Sequence, residues 1–292
     1  MATETADQAK QLVDKAVASI GDLATLPEVT IKIIEIVEDP KSTARDLHEV
    51  IKNDPALSVK VLKVVNSAFY GLPGQVASVD RAIILLGLSA VKNIAIAASI
   101  AKLFKGKKVS EHFSATDLWR HSVAVAVGAR SLAKCSPHPH MPDEIFVAGL
   151  IHDIGTLVER QAFPEKFAEV VDRCMDPSES FLDCERDIIG ADHQAFGVAL
   201  TTKWKFPRHL RAAVGFHHNP EALSPELRNM AVLIHMADVM SCADKHGFYL
   251  SAQNETITDE MFGLLGITRE QYEEVRAMLP EQLQEAEATL TS

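Results

Sequence analysis

An apolar residue recurs every three or four positions along most of this chain, and that spacing leaves it little to become except a stack of packed helices. Between Asp7 and Ile20, residues Leu12, Val13, Ala16, Val17 and Ile20 share one helical face, and Gly21 ends the run. Leu26-Pro27 opens a second segment with Ile31, Ile34 and Val37 inward, closed by Asp39-Pro40. Ser42 or Thr43 can cap a third, whose apolar positions are Leu47, Val50 and Ile51. Asp54-Pro55 is a sharp helix start, because the carboxylate accepts from free backbone N–H groups and proline already has a helical φ. Ser78-Val79-Asp80 starts another, and Gly87-Leu88-Ser89 begins a long apolar helix through Phe104. After a polar, basic stretch at 106–114, the pattern predicts helices over 116–135, 143–159, 164–175, 180–189, 192–203, 207–217, 227–242, 259–264 and 269–290. Aromatics are only 6% of the chain, so Ala, Val, Ile and Leu must fill the core, which favours closely packed helices over a β-sandwich. The expected class is all-α, with one helical lobe over residues 1–110 and a second over 111–292.

Charge and cysteine usage narrow the function. A net charge of −11 disfavours a general nucleic-acid binder. Within it, the segment from Lys41 to Lys108 carries eleven Lys/Arg against four Asp/Glu and closes on Lys102, Lys105, Lys107 and Lys108. The simple reading is a solvated helix end with cations near its C-terminus; the sharper one is a docking face for an acidic partner. The 42–66 region superficially resembles a helix-turn-helix, but between Pro55 and Val65 only Ser58, Lys60 and Lys63 are polar, a poor set for reading base edges. Cys135, Cys174, Cys184 and Cys242 form no Cys-x-x-Cys pair and read as reduced, buried thiols. The polar, acidic start at Met1 is unlike a signal peptide, and the apolar region 82–103 is interrupted by Lys92, Asn93 and Lys102. A cytoplasmic protein without a membrane span is the expectation.

The chemistry-bearing stretch is Gly149-Leu-Ile-His152-Asp153-Ile-Gly155. A buried His-Asp pair is costly unless something holds both groups, and a divalent metal does so through imidazole nitrogen and carboxylate oxygen. His121, His193, the pair His217-His218 and Asp238 each lie on or beside a predicted helix among apolar neighbours. One ion would take His121, His152, Asp153 and Asp238; a second would take His193, His217 and His218 and share Asp153, since a carboxylate can bridge two ions and imidazole cannot. Two such ions could hold a bridging hydroxide for attack on phosphorus. Any single one of the twelve histidines is more often a plain hydrogen-bonding group than a ligand, and His48, His112, His138, His140, His209, His235 and His246 have no context that marks them. No Walker loop, Gly-x-Gly-x-x-Gly, nucleophile elbow or EF-hand is present.

The order His121 … His152-Asp153 … His193 … His217-His218 … Asp238 resembles the HD superfamily of metal-dependent phosphohydrolases, in particular its HD-GYP branch. From about Ile20 to Pro220 the chain is more closely similar to the HDOD family, an HD-related output domain of bacterial signalling. That likeness is carried by Leu26-Pro27, Ile51-Lys-Asn-Asp54-Pro55-Ala-Leu57, Val64-Val-Asn66-Ser67-Ala-Phe-Tyr70, Ser78-Val-Asp-Arg81-Ala-Ile-Ile-Leu-Leu-Gly87, Gly149-Leu-Ile-His152-Asp153-Ile-Gly155, Ala191-Asp-His193, Trp204-Lys-Phe-Pro207 and His217-His218-Asn-Pro220. The resemblance implies a signal-transduction module with a His/Asp site for one or two divalent ions (Fe, Mn, Zn or Ni), non-catalytic or weakly catalytic. It also implies a signalling protein or nucleotide-like ligand at a cleft between the lobes. The rival it leaves open is a working phosphohydrolase acting on a nucleotide or cyclic dinucleotide; a weaker third is a nucleic-acid-associated regulator using the basic face. Two departures from HD-GYP enzymes stand out. Their lysine after Ile-Gly is Thr156 here, and their Gly-Tyr-Pro loop is replaced by Asn219-Pro220-Glu221-Ala222.

Overall fold

The computed structural model describes residues 2–21, 26–39, 41–67, 70–104, 109–138 and 142–290. Lys105, Lys107 and Lys108 of the basic segment, Pro40, Ala68-Phe69, His140, and the side chain of Val37 lie outside the described residues. Among those described there is no β-strand, only an isolated bridge between Ser110 and Phe113, and the all-α expectation holds. No described helix is long and apolar enough to cross a membrane.

The helices are α1 (Ala2–Ser19), α2 (Glu28–Glu38), α3 (Ala44–Lys52), α4 (Pro55–Val65), α5 (Val79–Leu86), α6 (Leu88–Ile100), α7 (Ala115–Cys135), α8 (Pro142–Ile151), α9 (Ile154–Ala162) and α10 (Pro164–Arg173). They continue as α11 (Phe181–Ile188), α12 (His193–Lys203), α13 (Arg208–Phe216), α14 (Pro225–Ala243), α15 (Asp259–Leu265) and α16 (Arg269–Leu290). Thr43 rather than Ser42 caps α3, in a capping box with Asp46. Asp54 caps α4 through Leu57 N–H, with Pro55 in the first turn. The inward face of α2 is Thr30, Ile33 and Ile34; Ile31, expected inward, is only partly buried. One step along the helix turns a side chain by about 100°, so a one-residue error in the inferred face carries Ile31 to its edge.

Two helices organise the packing. Every residue of α6 from Ala90 to Ile100 is buried, among α2, α4, α5 and α8. A helix buried on every side, even at Lys92, Asn93 and Ser99, is a central one. α7 is the second, buried at fifteen positions and packed on α8, α14 and α16. α1 lies on α9 and α12, and α16 reaches both α7 and α4.

The segment expected to be one helix over 143–159 is two. α8 stops at Ile151, His152 and Asp153 form a turn, and α9 resumes at Ile154. On an unbroken helix adjacent side chains diverge by about 100°. The turn, with Asp153 at φ −95° and ψ 18°, instead brings His152 Nε2 to 3.4 Å from Asp153 Oδ1. Glycines permit the tight packing on either side. A Cβ on Gly149 would lie 2.5 Å from Ala126 Cα, and one on Gly155 would lie 1.9 Å from the His193 carbonyl oxygen.

Candidate metal centre

Each sequence-picked residue reaches the centre from a different element. His121 projects from the second turn of α7, which Ser114 caps by accepting from Asp117 N–H. His152 and Asp153 come from the α8–α9 turn. His193 opens α12 behind its cap Asp192, which accepts from Ala195 N–H. His217 and His218 follow the last turn of α13, and Asp238 lies mid-way along α14. His121, His152, Asp153, His193, His217 and Asp238 are fully buried, and the His218 side chain is 1% exposed.

All seven converge. Asp153 Oδ1 lies 3.4 Å from His152 Nε2 and 3.3 Å from both His193 Nε2 and His217 Nε2, while Oδ2 lies 3.6 Å from His121 Nε2. Asp238 Oδ1 is 3.1 Å from His121 Nε2 and 3.9 Å from His152 Nε2. The imidazoles face one another as well: His121 Nε2 to His152 Nε2 is 3.2 Å, His193 Nε2 to His217 Nε2 is 3.4 Å, and His193 Nε2 to His218 Nε2 is 3.0 Å.

The outer ring nitrogens fix which side of each imidazole faces inward. His152 Nδ1 donates to the Gly149 carbonyl at 2.8 Å and His217 Nδ1 to the Val214 carbonyl at 2.9 Å. His193 Nδ1 donates to Glu185 at 2.9 Å. His121 Nδ1 meets Ser241 Oγ, whose own proton goes to the His246 carbonyl, so the histidine is the donor there too. A neutral imidazole that donates from Nδ1 presents a bare lone pair at Nε2. In their neutral forms these four imidazoles direct their Nε2 lone pairs into one cavity beside two carboxylates. Neither oxygen of Asp153 accepts a hydrogen bond, nor does Asp238 Oδ2.

The spacing of these groups fits a divalent cation. Nitrogens about 2.1 Å from a common ion sit about 3.0 Å apart at an octahedral edge and about 3.4 Å at a tetrahedral one, and the imidazole pairs lie at 3.0–3.4 Å. The ligand atoms fall into overlapping groups: Asp153, His193, His217 and His218 form one; His121, His152 and Asp153 another; His121, Asp238 and Cys242 a third; and His152, His217 and Asp238 a fourth that links the two sides. Without a cation the carboxylates lean on the imidazoles. Burial opposes charge on Asp153, yet His152 and His193 hold it well below the ordinary carboxylate range, and His121 does the same for Asp238. Burial pushes His217 down to about 3, whereas Glu185 and Asp153 outweigh burial and raise His193 to about 10.

Several supporting residues escaped sequence reasoning. Glu185 accepts from both the backbone N–H and Nδ1 of His193. It follows Phe181 and Cys184 at the i+4 and i+1 positions of a buried stripe, and an acid in that place was the signal available. Glu255 lies 2.6 Å from His218 Nδ1 and 3.2 Å from His235 Nδ1. Both nitrogens of His235 face carbonyl oxygens, of His217 and Thr256, and although burial opposes its charge, Glu255 beside it raises its pKa above the ordinary range, so this histidine, outside the expected set, braces the His217 backbone. Burial works against the charge of Glu255, but the close approach of His218 and His235 lowers it from 4.5 to about 2. A carboxyl so lowered contributes up to about 3 kcal/mol at neutral pH. That contribution is complete above the unfolded value and is lost as pH falls from about 4.5 towards 2. In metal-depleted protein, Glu255→Gln should therefore unfold well below wild type at pH 7, with the gap closing near pH 3 in thermal scans. A gap that is constant with pH would show the carboxylate to be unimportant.

The chain has relatives of known fold. A Treponema pallidum protein with no described function is 27% identical over 237 residues, covering 78% of this chain; the chain spans only 44% of that relative's length. The crystal structure of an HDOD domain protein of unknown function from Geobacter sulfurreducens superposes with a TM-score of 0.80 at 21% identity, covering 97% of this chain and 99% of the other. A Shewanella amazonensis protein named "putative phosphohydrolase" superposes with a TM-score of 0.70 at 25% identity over 94% and 97%. The HDOD domain model matches residues 23–220, about two-thirds of the chain and the part that contributes every inward-facing histidine, so the chain belongs to the HDOD family.

Proposed function

We propose that this protein is a signal-transduction module built around a divalent-metal centre, non-catalytic or weakly catalytic, in which the ions set the packing of α7, α8, α9, α12, α13 and α14. One ion takes His121, His152, Asp153 and Asp238; a second takes His193, His217 and His218 with Asp153 shared. When bound, the ions neutralise the carboxylates and tie together helices drawn from a span of more than a hundred residues. The residues of this chain supply the rest. Glu185, Ser241 and the Gly149 and Val214 carbonyls orient the imidazoles, and the buried apolar shell excludes water. A partner would read the resulting helix arrangement at the junction between residues 1–110 and 111–292.

The observation that carries this reading is enclosure. A catalytic ion needs an open position and a path for substrate, and all seven side chains here are at most 1% exposed. Thr156 also stands where a hydrolase of the HD-GYP type has a lysine, and its fully buried hydroxyl has no hydrogen-bond partner. A preorganised cation at such a place is worth several kcal/mol to a phosphoryl transition state. Phosphohydrolysis is the second reading, supported by the complete donor set and by the name of the Shewanella relative.

Elemental analysis of purified protein separates the possibilities. At least one Fe, Mn, Zn or Ni per chain is expected. Incubation with bis-p-nitrophenyl phosphate and a panel of cyclic dinucleotides, with Mn or Fe added, should give rates near background. A well-folded, metal-free preparation would remove the premise. Turnover that disappears in Asp153→Ala would move the protein to the hydrolases.

A further inference from the structure

The end of α16 fills a groove between the two lobes. Beyond Pro280, Leu283, Ala286 and Leu290 recur at i, i+3 and i+7, and all three are buried. Ala286 and Leu290 line one narrow gap with Val64 of α4 and Phe146 of α8. Ser131 of α7 donates to Gln282 at 3.1 Å. The groove is therefore walled by α4 from residues 1–110 and by α7 and α8 from residues 111–292. Its charges match those of the helix in it. Residues 281–290 carry Glu281, Glu285 and Glu287 and no Lys or Arg, whereas α4 carries Lys60 and Lys63 and no acid. Lys63 Nζ donates to the Ala288 carbonyl at 3.1 Å, and Arg120 of α7 stands 3.7 Å from Glu287. The resident helix fits the apolar floor better than the rim. Glu285 Oε1 is buried without a hydrogen-bond partner. An open cleft of about 520 Å³ runs along the join, lined by Lys63, Asn66, Gln75, Glu285 and Thr289. Pro280 has no N–H for the Arg276 carbonyl, so the helix is one backbone hydrogen bond short where this half begins.

We propose that this groove docks the amphipathic helix of a partner protein, apolar at i, i+3 and i+7 and acidic on its outer face. Residues 281–290 occupy the groove in cis until such a helix displaces them. The exchange replaces like with like: the entering helix covers the same apolar floor, so the groove is not left exposed to water. An entering carboxylate that reaches Lys63 gains a contact that Glu285 Oε1 leaves unmade. The basic stretch from Lys41 to Lys108 thereby acquires the acidic partner that its charge favours. This docking rests on the reading of the chain as a partner-binding module, and on no metal ion.

A fluorescent peptide of residues 269–290, titrated against the full chain and read by anisotropy, tests the groove. The double variant Leu283→Ser, Leu290→Ser loosens the resident helix and should capture the peptide about tenfold more tightly than wild type. Equal capture would show that the groove is not occluded in cis and overturn the proposal. Glu281→Lys, Glu285→Lys and Glu287→Lys in the peptide should weaken capture about tenfold, and the gap should close at high salt. Lys63→Glu, at the exposed rim, should weaken capture of the acidic peptide in the same way. Indifference to these charge changes would place the peptide elsewhere and reject the groove. If the double variant does not fold, hydrogen exchange of isotope-labelled wild type decides. Excess unlabelled peptide should speed exchange at residues 281–290 about tenfold and leave α7 unchanged; unaltered rates would reject displacement. A wild-type dimer that dissociates on loosening α16 would make a second copy the occupant and overturn the partner assignment. A chain that captures the peptide but purifies without metal would remove the metal reading and keep the groove; a metal-loaded chain without capture would remove the groove alone.

Discussion

Asp153→Ala should purify with less than about a tenth of the wild-type metal and unfold with about 3–5 kcal/mol less stability, the cost of breaking a buried ionic network by removing one partner. The Asp153 carboxylate stands within 3.6 Å of the Nε2 atoms of His121, His152, His193 and His217, and is the one acid common to both groups of donors. Its removal leaves inward-pointing lone pairs with no counter-charge and no bridging ligand. Ligand linkage adds to the loss, since an ion present at a thousand times its dissociation constant stabilises a fold by about 4 kcal/mol. Elemental analysis gives the first quantity and thermal unfolding with and without chelator gives the second. Chelator should lower the wild-type midpoint sharply and leave Asp153→Ala where it is. A variant with wild-type metal content and an unchanged midpoint would show that the two donor groups do not depend on a shared carboxylate.

The separation between what the sequence revealed and what it hid follows from the range of each interaction. Caps and starts are local, so Asp54-Pro55 and the Ser42/Thr43 pair marked helix beginnings that the fold retains. His121, His152, Asp153, His193, His217, His218 and Asp238 stood out as candidates through their joint pattern and its resemblance to the HD order, since any one histidine alone is unremarkable. The break at His152-Asp153 was hidden. Both flanking helices are buried along nearly all of their length, so the apolar pattern runs on without a phase shift, and no proline marks the join. Backbone contacts impose the turn instead, at Gly149 against α7 and Gly155 against α12. Glu185, Glu255 and His235 were hidden for a related reason. Each is an ordinary polar residue in its own segment and acquires a role only when a distant imidazole arrives beside it.

Gly155→Ala tests that backbone packing and should be among the most damaging single-methyl additions available to this protein. The added carbon would sit 1.9 Å from the His193 carbonyl oxygen and 2.7 Å from Gly197 N, and both atoms are main chain, so no rotamer change relieves the clash. α9 must move away from α12 by about 1 Å or more to restore ordinary contact. Overpacking of this kind costs about 1–3 kcal/mol and occasionally more; with only backbone to yield, the upper end is expected. The shift also separates Asp153, at the head of α9, from His193, at the head of α12, across a gap that is now 3.3 Å. Metal content should therefore fall together with stability, although no donor has been altered. Gly263→Ala supplies the contrast. That glycine lies inside α15 with nothing within 4 Å of its added carbon, and the substitution should raise stability by up to about 1 kcal/mol through helix propensity alone. Thermal midpoints moving in opposite directions, with metal lost only from Gly155→Ala, would tie the geometry of the centre to the close approach of two helices. Equal midpoints for Gly155→Ala and wild type would show that α9 and α12 are not pressed together as the fold has them.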